Sequence, residues 1–195
     1  MSETTAAMRA QTRLPWGAEP SPLPGMSPGP CGAIISECGR YRPLLWRCWG
    51  AGPWWCVVGQ NPSVADGQVD DPTLRRVVGL CREGGAGGVV LVNTFDYRAT
   101  RPEDCSAALA RGEALGPDCD HWLVEASRSA QRTICAWGQV HRTRLERVER
   151  VVELLGGPGR LEAWATTAEG WPRHPLYLST ALRPTTWSPP APKRR

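Results

Sequence analysis

Six side chains that can do chemistry fall within twelve consecutive residues: Gln60, Asn61, Ser63, Asp66, Asp70 and Asp71. They follow an apolar run, residues 54–58, that stops on Gly59. A strand that only had to reverse would more often use Asn-Gly or Asp-Gly, so G-Q-N-P-S reads as the floor of a site. An amide there can orient a water or read the edge of a base. The carboxylates can serve as general bases or hold a hard cation through oxygen. The same residues also have structural uses, Asn61 in a turn and Asp71 as the cap of a helix that begins at Pro72. Further along stand Asn93, Phe95, Trp137 and His174, each at the end of an apolar run or in a proline-bounded loop. Arg75, Arg76 and Ser179 can contact phosphate, although the arginine pair serves equally well as a solvated helix face.

These residues need elements to bring them together. A-I-I-S and Y-R-P-L-L-W-R-C-W alternate as an N-terminal β-hairpin would, with residues 37–40 as its turn. W-W-C-V-V-G, G-V-V-L-V-N and R-T-I-C-A-W-G are continuous apolar runs, the pattern of strands buried on both faces, and L-E-A-W-A-T makes a short fourth. Between them, Leu74, Val77, Val78 and Cys81 follow the helix start at Asp71-Pro72-Thr73, and the glycines of E-G-G-A-G-G end that helix. Helical patterns recur at 106–109 and 118–129. A stronger one carries Leu145, Val148, Val151, Val152 and Leu155 on a single stripe. Strands alternating with helices predict an α/β fold with a mainly parallel sheet. Right-handed crossovers then deliver Gln60-Asn61-Pro62-Ser63, Asn93-Thr94-Phe95, Trp137-Gly138 and His174-Pro175 to one edge, where ligands of such sheets bind.

At 195 residues, with 41% hydrophobic and 22% charged side chains, the chain has the composition of one globular domain. Proline density marks residues 1–30 as a disordered lead, and S-P-P-A-P-K-R-R makes 188–195 a basic tail, leaving 31–187 as the folded part. Lys193 is the sole lysine among 23 basic residues, and the net charge is +4. That balance is compatible with a nucleic acid or nucleotide partner. The eight cysteines contain no C-x-x-C pair, and several sit in apolar runs, so reduced thiols are expected and no cofactor or metal is required. Residues 1–10 lack an apolar signal core and no run approaches a membrane span, which points to a cytoplasmic protein without a membrane partner.

Taken in order, G-Q-N-P-S (59–63), V-L-V-N (90–93), C-A-W-G (135–138) and H-P-L-Y-L-S (174–179) resemble the motifs of the uracil-DNA glycosylase superfamily. The resemblance implies a three-layer α/β/α sandwich around a central, mainly parallel four-stranded sheet. It further implies that Asn61 positions a water and Asn93 reads the base edge, with Gln60, Phe95 and Trp137 around the base. His174 would donate to the base oxygen, Leu178 would wedge into DNA, and Ser179 would meet phosphate. Ser63 departs from the tyrosine or glycine of those motifs, and Leu176-Tyr177 from Ser-Pro. Asp66, Asp70 and Asp71 lie outside the pattern altogether.

A closer likeness is to a bacterial and phage family of uncharacterised function that carries G-x-N-P-S-x-A-D, D-P-T-x-R-R, N-x-F-x-x-R-A-T, A-W-G and H-P-L-Y. Every one of these motifs is present here. The expectation is a hydrolase of N-glycosidic bonds acting on a nucleobase in DNA or on a related nucleoside or nucleotide. The alternatives are a non-catalytic base-binding module and a metal-assisted hydrolase built on Asp66, Asp70 and Asp71.

Overall fold

The computed structural model describes residues 31–191. The lead at 1–30 and the last four residues of the tail lie outside them. Seven strands form one sheet: β1 (Cys31–Ile34), β2 (Leu44–Cys48), β3 (Trp54–Gly59), β4 (Gly88–Asn93), β5 (Arg132–Cys135), β6 (Leu161–Ala163) and β7 (Thr185–Trp187). Four α-helices accompany them: α1 (Pro72–Glu83), α2 (Pro102–Ala110), α3 (Cys119–Ser129) and α4 (Leu145–Leu154).

The spatial order is β1-β2-β4-β3-β5-β6-β7. The three inner pairings, β4·β3, β3·β5 and β5·β6, are parallel, and the three outer ones are antiparallel. The expected four-stranded, mainly parallel sheet is therefore corrected to a mixed sheet of seven. The hairpin does not stand apart from it. Leu44 and Trp46 of β2 pack with one core cluster and Leu45 with the other, so this strand must be covered on both sides and lies inside the sheet against β4. At the far side β7, which carried no sequence signal beyond T-T-W, closes the sheet by burying Trp187 beside Trp137.

Each face has its own core. On one, Trp55, Val57, Val89 and Leu91 meet Leu74, Val77, Leu80 and Cys81 of α1. On the other, Cys56, Val58, Val90 and Val92 meet Trp122, Leu123 and Ala126 of α3 and Val148, Val151 and Val152 of α4. Strand parity thus sends alternate residues to opposite helices, the division expected of a sheet covered on both faces. All six residues of β4 are buried. All eight cysteines are free thiols, five of them buried. No helix among the described residues is long and apolar enough to cross a membrane.

One ion pair ties the hairpin to the loop before α1. Arg47 donates through Nε (2.9 Å) and Nη2 (2.7 Å) to Asp70 and also to the carbonyls of Trp46 and Asp66, with its side chain only 10% exposed. Asp70→Ala leaves that guanidinium without its counter-charge. We expect a loss of about 2 kcal/mol in urea unfolding, within the range for hydrogen bonds to charged groups. Asp70→Asn should recover part of it, and an unchanged midpoint for Asp70→Ala would refute the assignment.

Candidate functional site

The turn after β3 and the loop after β4 are laced together. Gly59 and Asn93 are register partners at the strand ends. Beyond them Thr94 N donates to the Gly59 carbonyl, Phe95 N to that of Gln60, and Ala99 N to that of Pro62. Asn61 completes the lacing with its side chain, whose Nδ2 donates to the carbonyls of Ala99 (3.0 Å) and Pro62 (3.1 Å). Both amide hydrogens are thereby fixed, and Oδ1 remains as the acceptor able to orient a water.

Asn93 is 4% exposed, yet its Nδ2 has no hydrogen-bond partner. Its Oδ1 lies only 2.6 Å from where the first side-chain carbon of any residue other than glycine at position 59 would sit. Gly59 is therefore a requirement of packing: it leaves room for this amide. A buried donor without an acceptor is uncommon in folded proteins and costs about 1–3 kcal/mol.

The other tips reach the same edge. The Gln60 amide lies between the Trp137 carbonyl and the Arg144 guanidinium, and the orientation that suits both has its nitrogen donating to the former (3.2 Å) and its oxygen accepting from the latter. Gly138, at φ +82°, continues the A-W-G turn so closely beneath His174 that an added Cβ would lie 3.4 Å from the histidine Cβ. His174 caps the short 3-10 helix Pro175–Tyr177, its Nδ1 accepting from Leu176 N at 3.4 Å. That arrangement leaves the proton on Nε2. Burial lowers the His174 pKa below the ordinary histidine value, and the charge of Asp71 partly opposes it.

Neutral His174 gives a signed pH dependence. The unfolded imidazole binds a proton more readily than the folded one, so stability falls as pH drops from about 6.5 towards the lowered native value. His174→Gln should flatten that part of a melting-temperature-against-pH curve. An unaltered slope would mean that other groups set it.

The three aspartates do not gather. Asp66 Oδ1 accepts from Gln68 N and Val69 N, both at 2.8 Å, and these bonds lower its pKa. Asp70 is held by Arg47. Asp71 Oδ1 accepts from Leu74 N at 2.7 Å as the N-cap of α1. Each has a local structural use, and among the described residues no three His, Cys, Asp or Glu side chains come together as a possible metal site.

Phe95 is 1% exposed and packs with Ala108 and Ala114, inside a small core instead of beside an open pocket. Trp137 is 2% exposed with its ring edge-on to Trp187 at 5.4 Å, in the core on the side of α3 and α4. Asn93 and Gly59 share strand parity with Leu91 and Val57, which face α1, so the Trp137 ring lies on the other side of the sheet. Leu178, the counterpart of the wedge, is 4% exposed among the core residues under α1, whereas Tyr177 beside it is 75% exposed. Ser179 accepts from Ala181 N. Arg75 is exposed and donates to the Asp70 carbonyl, and Arg76 is half-buried on the same helix.

Two arginines carry more of the architecture than their sequence context suggests. Arg42, 2% exposed, donates Nη1 to the Ala65 carbonyl (2.6 Å) beneath the turn before α1, and burial lowers its pKa to about 10. Arg147 reaches from α4 to the Thr94 carbonyl (2.6 Å) and to Asp120 (2.6 Å), clamping the residue that follows Asn93. A cavity of about 370 Å³ also opens beside the lacing. Cys38, Arg40, Ser63, Tyr97, Arg98 and Thr100 are among its lining, and of the expected site residues it includes Ser63. The signal for it lay in R-A-T after β4, but the hairpin turn facing that motif is distant in sequence.

The family described as Protein of unknown function (DUF1643) matches residues 40–176, most of the chain, and the protein belongs to it. No curated protein and no solved structure matches the chain.

Proposed function

We propose that this member of the DUF1643 family acts on a nucleobase, in DNA or in a related nucleoside or nucleotide, as a glycosylase-like hydrolase. The observation that carries the reading is the unpartnered Nδ2 of Asn93, buried at the carboxyl edge of the sheet. A buried donor that no other residue satisfies is suited to a ligand acceptor, and a base carbonyl supplies one in a geometry that an amide can read. A second support is the run of four parallel strands β4-β3-β5-β6, which accommodates the uracil-DNA glycosylase-like core that the motifs resemble.

Cleaving an N-glycosidic bond leaves an electron-poor sugar and an anionic base. A site for it needs a water held at the sugar and donors where the base gains charge. Asn61 Oδ1 orients the water, its amide nitrogen being anchored to Ala99 and Pro62. His174, neutral at pH 7 with Nδ1 occupied by Leu176 N, offers Nε2–H to the base oxygen. Asn93 holds the base edge.

A non-catalytic base- or nucleotide-binding module is the second reading. It is favoured by one observation: Asp66, Asp70 and Asp71 are all engaged elsewhere, so none of the three stands ready as a general base. Isothermal titration of the full chain with free bases, nucleosides and mononucleotides, followed by base-release assays on single- and double-stranded DNA carrying altered bases, separates the two. Binding with release supports the hydrolase and binding without release the module. No binding of any base or nucleotide would overturn both.

A further inference from the structure

The cavity beside the Asn61 turn has a lining chemistry that the base-reading site does not use. It lies between the β1–β2 turn and the loops that follow β3 and β4, and Ala99, whose carbonyl anchors Asn61, is part of its wall. Arg40 and Arg98 contribute two guanidiniums, Ser63, Thr100 and Tyr97 contribute hydroxyls, and no carboxylate lines it. The charges of Asp66 and Glu113 reach Arg98 and Arg40 respectively, but neither carboxylate lines the cavity and each has a partner of its own. Asp66 is held by the amides of Gln68 and Val69, Glu113 pairs with Arg111 at 2.9 Å, and Glu37 is exposed in the hairpin turn without lining the cavity.

We propose that this cavity binds the phosphate of a nucleotide, with Arg98 and Arg40 as its cationic contacts and the Ser63 and Thr100 hydroxyls as further donors. The nucleotide identity rests on the base-reading function above; the anion site itself rests on the cavity. Arg98 is preorganised for the task. Its Nη1 donates to the Gly39 carbonyl at 3.1 Å and its backbone N to that of Arg40, which holds the side chain across the cavity, while its Nε is buried without a partner. A planar guanidinium fixed in this way loses little freedom on meeting a phosphate. The same surroundings already favour one anion. The Cys38 thiol, 3.3 Å from Ser36 Oγ and beside Arg40, is drawn down to about 7 by that hydrogen bond and then by the arginine.

Cys38 also supplies the test, because it is the exposed thiol among eight: Cys31 and Cys48 are half-buried and the rest are buried. The rate of Cys38 alkylation by iodoacetamide is measured on the full chain, with Cys38→Ser as the background. Inorganic phosphate should slow it, and deoxynucleoside 5′-monophosphates should do so at lower concentration than the matching nucleosides. A short single-stranded oligonucleotide then distinguishes a backbone diester from a terminal phosphate. Arg98→Gln should weaken protection by inorganic phosphate by about tenfold, the loss of a charge-assisted bond, and Arg40→Gln should act in the same direction. Titration calorimetry with inorganic phosphate reads the same change without the thiol, and melting curves confirm that the variants fold.

An alkylation rate indifferent to phosphate and nucleotides, or full protection remaining in the Arg40→Gln/Arg98→Gln double variant, overturns the anion site. Nucleoside binding that depends on Asn93 while phosphate adds nothing would remove the anion site and leave the base reading intact. Protection by phosphate with no response to any base or to Asn93→Ala would do the reverse.

Discussion

Asn93→Ala is expected to weaken binding of the cognate base by about 1–3 kcal/mol, about 5- to 150-fold, without lowering the melting temperature. The two halves of that expectation have one cause. A structural asparagine in a core is satisfied on both ends, and its loss destabilises the fold. Asn93 is 4% exposed with Nδ2 unpartnered, so alanine removes a buried donor that no other residue satisfies. The small space left behind opposes this gain, and the net effect on folding should be close to zero or slightly favourable. Binding carries the loss, the pattern of a residue kept at some cost to stability for function. Asn61→Ala should behave differently. It deletes the bonds to Ala99 and Pro62, so the laced loops loosen and melting temperature falls, and on the proposed function turnover drops more than base affinity because a positioned water matters in the transition state. Titration calorimetry, base-release kinetics and thermal melts on both variants decide the matter. Equal affinity for wild type and Asn93→Ala, or a melting temperature that collapses in Asn93→Ala, would mark Asn93 as a packing residue and remove the main support for the proposed function.

What could be seen in the sequence was what depends on local pattern. The runs W-W-C-V-V-G and G-V-V-L-V-N became β3 and β4, and the stripe from Leu145 to Val152 became the buried side of α4. Asp71 capping Pro72 was readable because a cap needs only its neighbours. Contacts that depend on distant partners were not readable. β2 carries the alternation of a hairpin strand, and nothing local says that its second edge pairs with β4, forty-odd residues on. Trp137 and Phe95 follow strand ends as pocket residues would, but their rings turn into cores completed by Trp187 and by Ala108 and Ala114. Arg42 looks like a surface arginine in Y-R-P-L-L until the turn before α1 folds over it and accepts its hydrogen bond at Ala65. The cluster Asp66, Asp70 and Asp71 looked like one acidic site because the three are close in sequence. In space, a turn, an ion pair and a helix cap take one each.

The glycines of E-G-G-A-G-G show the same division and give the second prediction. Read locally, they stop α1, and Gly85 does so at φ +92° with open space where a side chain would go. Gly87 has no such dihedral. An added Cβ there would meet Gly52 N at 2.1 Å, Gly52 Cα at 2.5 Å and the Gly50 carbonyl at 2.6 Å, all backbone atoms. The approach is reciprocal, since a Cβ on Gly52 would lie 2.6 Å from Gly87 N. Nor can the two segments part cheaply: Gly87 N donates to the Pro53 carbonyl, while Trp49 N and Gly50 N donate to that of Gly87. Gly87→Ala must therefore break that lacing or displace the start of β4, at about 3 kcal/mol or more, beyond ordinary overpacking because no side chain can yield. For a chain of this size that is a fall of roughly 6–12 °C in melting temperature. Gly85→Ala meets only the left-handed backbone strain, about 1–2 kcal/mol, and should fall by a few degrees. A thermal melt of each variant compares them directly. If Gly85→Ala proves the more damaging, or Gly87→Ala melts with the wild type, then the loop at 50–52 is not locked against β4 and the close approach has no energetic weight.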